Sequence, residues 1–131
     1  MRAIDTNVLV RALVQDDPAQ ARRAQALLNA QPVFVPVTVI LELEWVLRSR
    51  YGYPPTTIAQ ALGKIAALEN AVIGEQTAVV AAAEKMGRGW DFADALHHAL
   101  SKGCDDFATF DTMLVKRAKR DALNAPPVVA I

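Results

Sequence analysis

This chain predicts one α/β domain in which parallel strands are covered by helices. Short apolar runs rich in β-branched residues alternate with stretches of helical periodicity from one end to the other. A length of 131 residues, 53% of them hydrophobic, suits a single core, and there is no repeat, low-complexity tract or linker to divide it. Parallel neighbours need a crossover between them, and a helical crossover lays its helix on a sheet face. The expected sheet has four to five strands.

Met1 to Ile4 reads as a minimal strand, after which Thr6 or Asn7 can cap a helix running through Val8 to Leu13. Asp17-Pro18 starts a second helix, Ala19 to Asn29, because aspartate accepts backbone hydrogens as an N-cap and proline suits the first helical position. Val33-Phe34-Val35 is β-branched and aromatic, hence a strand that Pro36 ends before Thr38 opens a helix through Arg50. Gly52-Tyr53-Pro54-Pro55 breaks the chain, Thr56 to Leu68 is helical, and Val72-Ile73 is a third strand. An alanine-rich helix from Gln76 to Met86 stops at Gly87-Arg88-Gly89. The next begins at Trp90 or Asp91 and ends by Lys102, before Gly103. Phe107 to Phe110 is a fourth strand, Thr112 to Arg120 a helix, and Val128 to Ile131 a last strand after Pro126-Pro127.

Composition excludes several classes. The longest apolar stretch, Val33 to Leu41, contains Pro36 and Thr38 and falls far short of the roughly 20 residues that cross a bilayer. Asp5 and Asn7 interrupt the only candidate for an export signal, so a cytoplasmic location is expected. Cys104 is alone, which leaves it no internal disulfide and no thiolate-rich metal site; it is expected to be a small buried hydrophobe. With 14 basic and 14 acidic residues the net charge is zero, so charge has to be read by location.

Asp5 and Asp111 stand out among the carboxylates, since each directly follows apolar strand residues and precedes a helix. Ligands collect at the carboxyl ends of parallel strands, so two such acids can share a site that suits a hard divalent metal. Each is equally well explained as an N-cap. The helix from Thr38 places Val39, Ile40, Leu43, Val46 and Leu47 on one face, flanked by Glu42 and Glu44. At about 100° per residue the two glutamates lie at similar angles from that stripe, so periodicity does not choose between them. Glu42 is nearer the helix start, and so the top of the sheet, and is preferred on that ground. Trp45 lies opposite the stripe, as a contact surface would. The helix from Trp90 turns Phe92, Ala95, Leu96, Ala99 and Leu100 inward, with Asp91, Asp94 and His98 aligned on another face that could hold a metal. Asp91 is also a natural N-cap, and His97 and His98 face different ways as hydrogen-bonded helix residues. Asp94, a poor helix former in mid-helix, has no such alternative use.

Taken together, Ile4-Asp5-Thr6-Asn7, Leu41-Glu42-Leu43 with Trp45-Val46-Leu47, Asp91-Phe92-Ala93-Asp94-Ala95-Leu96 and Thr109-Phe110-Asp111 resemble, in order and spacing, the PIN-domain ribonucleases, most closely the VapC-type toxins of bacterial toxin-antitoxin pairs. The likeness spans Met1 to Ile131, which would be one PIN-like domain. It implies a doubly wound parallel sheet with helices on both faces, a homodimer, and neutralisation by a partner antitoxin. It further implies that Asp5, Glu42, Asp94 and Asp111 are the acidic quartet that binds magnesium or manganese, with Thr6 and Thr109 as hydroxyls that help hold acids or water.

Four acids can do that chemistry. Bringing two carboxylates within about 4 Å costs on the order of 4 kcal/mol at an effective dielectric near 20, which a cation or a proton offsets. Arg48 and Arg50, Lys116, Arg117, Lys119 and Arg120, and a rim of Arg11, Arg22 and Arg23 could hold an RNA backbone, although cations near helix C-termini are favourable for their own sake. The expected activity is metal-dependent endoribonucleolytic cleavage. Two alternatives stand beside it: a non-catalytic PIN-fold module that binds RNA or protein, and a metal phosphohydrolase for small substrates. The latter commonly uses an aspartate nucleophile with a second aspartate two residues on, where this chain has Asn7.

Overall fold

The computed structural model describes residues 1–121 and 126–131. Its elements are β1 (Arg2–Ala3), α1 (Thr6–Val14), α2 (Pro18–Ala30), β2 (Val33–Val35), α3 (Val37–Ser49), α4 (Pro55–Ala66), β3 (Ala71–Ile73), α5 (Gln76–Gly87), α6 (Phe92–Leu100), β4 (Phe107–Thr109), α7 (Thr112–Arg120) and β5 (Val128–Ala130). Every strand pairing is parallel, as the alternation of strands and helices requires. The hydrogen-bonded ladders run β1-β2-β3 and β4-β5. Arg2 lies opposite Val33, Val33 opposite Ala71, and Phe107 opposite Val128. Gly74 follows β3 where a Cβ would stand 3.3 Å from both the Phe34 ring and the Val37 nitrogen. A side chain there would press on the start of α3, and glycine lets the turn pass close without that shift.

Helix starts follow their capping residues. Asp17 accepts from the Gln20 nitrogen with Pro18 in the first turn, as expected. The cap of α1 is Asp5 rather than Thr6 or Asn7, because its carboxylate accepts from the Thr6 nitrogen and so starts the helix one residue earlier. α6 is shorter than the Trp90 to Lys102 expected: Asp91, in extended conformation, accepts from the Asp94 nitrogen, which leaves Trp90 outside, and Ser101 closes the other end.

The core gathers Ile4, Leu9, Val33, Val35, Ile40, Leu43, Leu47, Ile58, Leu62, Val79, Phe92 and Leu96. On α6 one inward position differs from the helical pattern. Leu100 is exposed and His98 is completely buried. Leu100 is the last helical residue, whereas His98 points at α5 and finds a partner for each ring nitrogen. Its Nε2–H donates to the Pro126 carbonyl at 2.7 Å, and since that carbonyl only accepts, Nδ1 is left to accept from Lys85 Nζ at 2.9 Å. Trp90 stacks on the imidazole, lies under the Lys85 ammonium and donates Nε1–H to Asp121 at 2.6 Å. His98 therefore does not face Asp94, and the aligned Asp91, Asp94 and His98 do not form a ligand set. Cys104 is exposed, not buried, because it lies in the surface turn joining α6 to β4, its nitrogen donating to the Ser101 carbonyl.

Burial holds the His98 imidazole below its ordinary value of 6.5, with Lys85 acting in the same direction and the Pro126 carbonyl opposing. A base whose folded pKa is depressed takes up its proton more readily in the unfolded chain. Its contribution is complete above the ordinary histidine range and is lost as pH falls through and below it. The urea midpoint should drop between pH 7.5 and pH 5, and His98→Gln should flatten that slope; an unchanged slope would place the titration elsewhere.

Candidate active site

The site is assembled from two acids that follow strands, Asp5 after β1 and Asp111 after β4, and two carried by helices, Glu42 on α3 and Asp94 on α6. Asp5 follows β1 and caps α1, while Thr6, the first residue of that helix, is buried and donates its hydroxyl to Glu42 Oε1 on α3. This bond joins α1 to α3 and orients Glu42 beside Asp5, with both lining one hollow of about 290 Å³. Asn7, Trp45, Arg50 and Tyr51 line it too.

The choice between the two glutamates of α3 is made by burial. Glu44 is 2% exposed and is bound by Arg48 one turn on, at 2.8 Å from Nε and 3.4 Å from Nη2. Glu42 is exposed in the hollow. One glutamate is thus spent on a structural ion pair, and the other is held by a hydroxyl that leaves carboxylate lone pairs open. Arg48, which the sequence offered as a phosphate contact, is committed to Glu44.

Asp111 follows β4 and caps α7, with Oδ1 accepting from the Met113 and Leu114 nitrogens at 3.0 and 3.1 Å. Thr109 supports it from the strand, its hydroxyl accepting from the Asp111 nitrogen at 3.0 Å. Asp94, in the first turn of α6, is half-buried, and among the described residues its carboxylate accepts no hydrogen bond. Burial is the first cause that raises its pKa; the charges of Asp91 and Asp111 add to it, and His97 and Arg117 oppose them. Asp94 and Asp111 therefore lie within each other's field, across α6 and β4–α7.

The expected four acids stand as two pairs, Asp5 with Glu42 and Asp94 with Asp111. Among the described residues no group of three His, Cys, Asp or Glu side chains is close enough to hold a metal. The reason is local: Asp5 and Asp111 are turned to the backbone nitrogens they cap, and Glu42 to the Thr6 hydroxyl. The donors still fit a magnesium-type ion. They are oxygen only, and such an ion is held by one or two carboxylates, waters and a substrate phosphate rather than by a complete protein cage. Asp94 accepts no hydrogen bond among the described residues and lies in the field of Asp91 and Asp111, only partly offset by His97 and Arg117, which a bound cation would relieve.

Arg50 closes the α3 end of the hollow and forms no ion pair among the described residues, whereas Arg11, at the same hollow, is bound by Asp16 at 2.8 Å. Lys116, Arg117, Lys119 and Arg120 lie on the helix that Asp111 caps. The role of Trp90 in holding His98 and Asp121 had no signal in periodicity, since Trp90 lies outside α6.

No helix among the described residues is long and apolar enough to cross a membrane. No curated protein and no solved structure gives a significant match to the chain. Parallel strands that end in Asp5 and Asp111, with Glu42 and Asp94 brought beside them from α3 and α6, agree with a family comparison in which the PIN domain matches residues 3–120, and the chain belongs to the PIN-domain family.

Proposed function

We propose that this protein is a metal-dependent endoribonuclease, with Asp5, Glu42, Asp94 and Asp111 as its magnesium- or manganese-binding and catalytic acids. The observation that carries this reading is that Asp5, after β1, shares a hollow with Glu42, while the half-buried Asp94, whose carboxylate accepts no hydrogen bond among the described residues, lies in the field of Asp111, after β4. A bound divalent ion would lower the pKa of an attacking water and stabilise the charge that develops at the scissile phosphate. The protein's own part is to position the acids and the substrate: Thr6 holds Glu42, Thr109 supports Asp111, and the cations of α7 and Arg50 retain the polyanion. The resemblance to VapC-type toxins adds a homodimer, a cytoplasmic setting and an antitoxin partner to the proposal, and a small neighbouring gene for a DNA-binding protein would support that part.

Incubating purified protein with total RNA, with and without magnesium, and mapping the new ends tests the reading. Discrete new ends that need the ion are expected; intact RNA in both arms would leave a PIN fold that binds without cutting. The glutamates provide a second check. Glu44→Gln should cost about 1–3 kcal/mol of stability, because Arg48 loses its buried partner, and should leave cleavage in place. Glu42→Gln should change stability by less than about 0.5 kcal/mol and remove cleavage. The reverse pattern in melting and cleavage assays would reassign the site.

A further inference from the structure

The hollow beside Asp5 and Glu42 has a wall that the acids do not explain. Trp45 is 50% exposed and lines it, three residues after Glu42 and so on the adjoining turn of the same helix face. Tyr51 forms another wall, fixed by its hydroxyl bond to Asp16 and by packing on Tyr53. Arg50 supplies a cation without an ion pair among the described residues. A flat π face, a cation and a carboxylate pair within one hollow of about 290 Å³ form the combination that single-stranded nucleic acid uses: base on ring, phosphate on guanidinium, backbone passing the acids. A lipid or an apolar peptide would strip water from the open carboxylate oxygens of Asp5 and Glu42 and from the Arg50 guanidinium and put nothing polar in its place.

We infer that Trp45 is a base-stacking residue that selects RNA unpaired at the cut, with a nucleobase on the indole and its phosphate on Arg50. This rests on reading the neighbouring acids as the cutting site and assigns that site a specificity-determining residue. In a duplex both faces of every interior base are already stacked, so paired RNA offers Trp45 no face except at its two ends. Trp45 acts on binding, not on the reacting atoms.

Trp45 also reports on the inference, because the other tryptophan, Trp90, is 2% exposed and hydrogen-bonded to Asp121. With calcium in place of magnesium, a short single-stranded oligoadenylate should quench the fluorescence of the wild-type chain, and a blunt RNA duplex of equal length should quench it far less. Trp45→Phe should abolish the quench while retaining most of the affinity. Trp45→Ala should weaken oligoadenylate binding about 5- to 100-fold and raise KM by a similar factor with kcat little changed. Since Trp45 is exposed, its variants should melt with the parent, which separates a binding loss from misfolding. Equal quenching by duplex, wild-type affinity in Trp45→Ala, or an emission change on protein dilution alone, which would mean a second copy covers the indole, each overturn the inference. Quenching by oligoadenylate from a protein that cuts nothing in magnesium would uphold the stacking role and remove only the nuclease reading.

Discussion

Asp94→Asn is expected to lower magnesium-dependent RNA cleavage by about 10³-fold, since a ligating carboxylate contributes several kcal/mol of transition-state charge stabilisation. The same change should leave the melting temperature unchanged or raise it. The Asp94 carboxylate accepts no hydrogen bond among the described residues and sits in the field of Asp91 and Asp111, so a neutral amide removes repulsion and breaks no contact. Loss of activity with retained stability is the behaviour of a residue kept for function at the expense of the fold. Asp5→Asn and Asp111→Asn extend the test to the acids that double as caps. Asparagine caps a helix as well as aspartate does, so α1 and α7 should form as before while the carboxylate charge is gone. Alanine at either position would confuse the two roles by removing about 1 kcal/mol of capping as well. Cleavage that persists in the asparagine variants, at rates near the parent in a magnesium titration, would reduce Asp5 and Asp111 to helix caps.

His98→Ala should be the most destabilising single change outside the apolar core, by about 3–5 kcal/mol. The substitution opens a cavity against Trp90 and Phe107, and it also strips Lys85 of its acceptor while the lysine is 6% exposed. Burial, with Arg88 adding to it, already holds the Lys85 ammonium below its ordinary pKa, so without His98 the charge is balanced only in part, by the Trp90 face and the field of Asp121. On calorimetry the expected fall in Tm is on the order of 10 °C. The double variant His98→Leu with Lys85→Met should recover part of the loss, because the Lys85 ammonium is no longer orphaned and only the Pro126 carbonyl is left without its donor. Additive losses in the double variant would show that the two side chains are not coupled. The pair also matters for position: His98 binds the Pro126 carbonyl just before β5, the strand that pairs with the one leading to Asp111.

Most of the architecture could be read from local chemistry. The Asp17-Pro18 start of α2, the bounds of α7 and the parallel strands follow from caps, prolines and β-branched runs that act within a few residues of themselves. The acids were visible for the same reason, since Asp5 and Asp111 each mark a point where a strand gives way to a helix. Periodicity also placed Trp45 on the outer side of α3, where it is exposed.

Contacts between distant segments escaped that reading. Period and propensity assign an angle around a helix axis and no identity to what lies along it. Glu42 and Glu44 are near-equivalent by angle, and they part only because Thr6 meets one and Arg48 the other. His98 was legible as a hydrogen-bonded helix residue, but not its partners, Lys85 on α5 and the Pro126 carbonyl, and Cys104 looked like a core residue although its segment is a surface turn. From its residues alone the chain determined where it bends, which stretches are helix or strand, and which carboxylates end up at strand tips. Tertiary structure decided which of those carboxylates stay open to a ligand, because a charge is kept or neutralised by whatever donor the fold happens to bring against it.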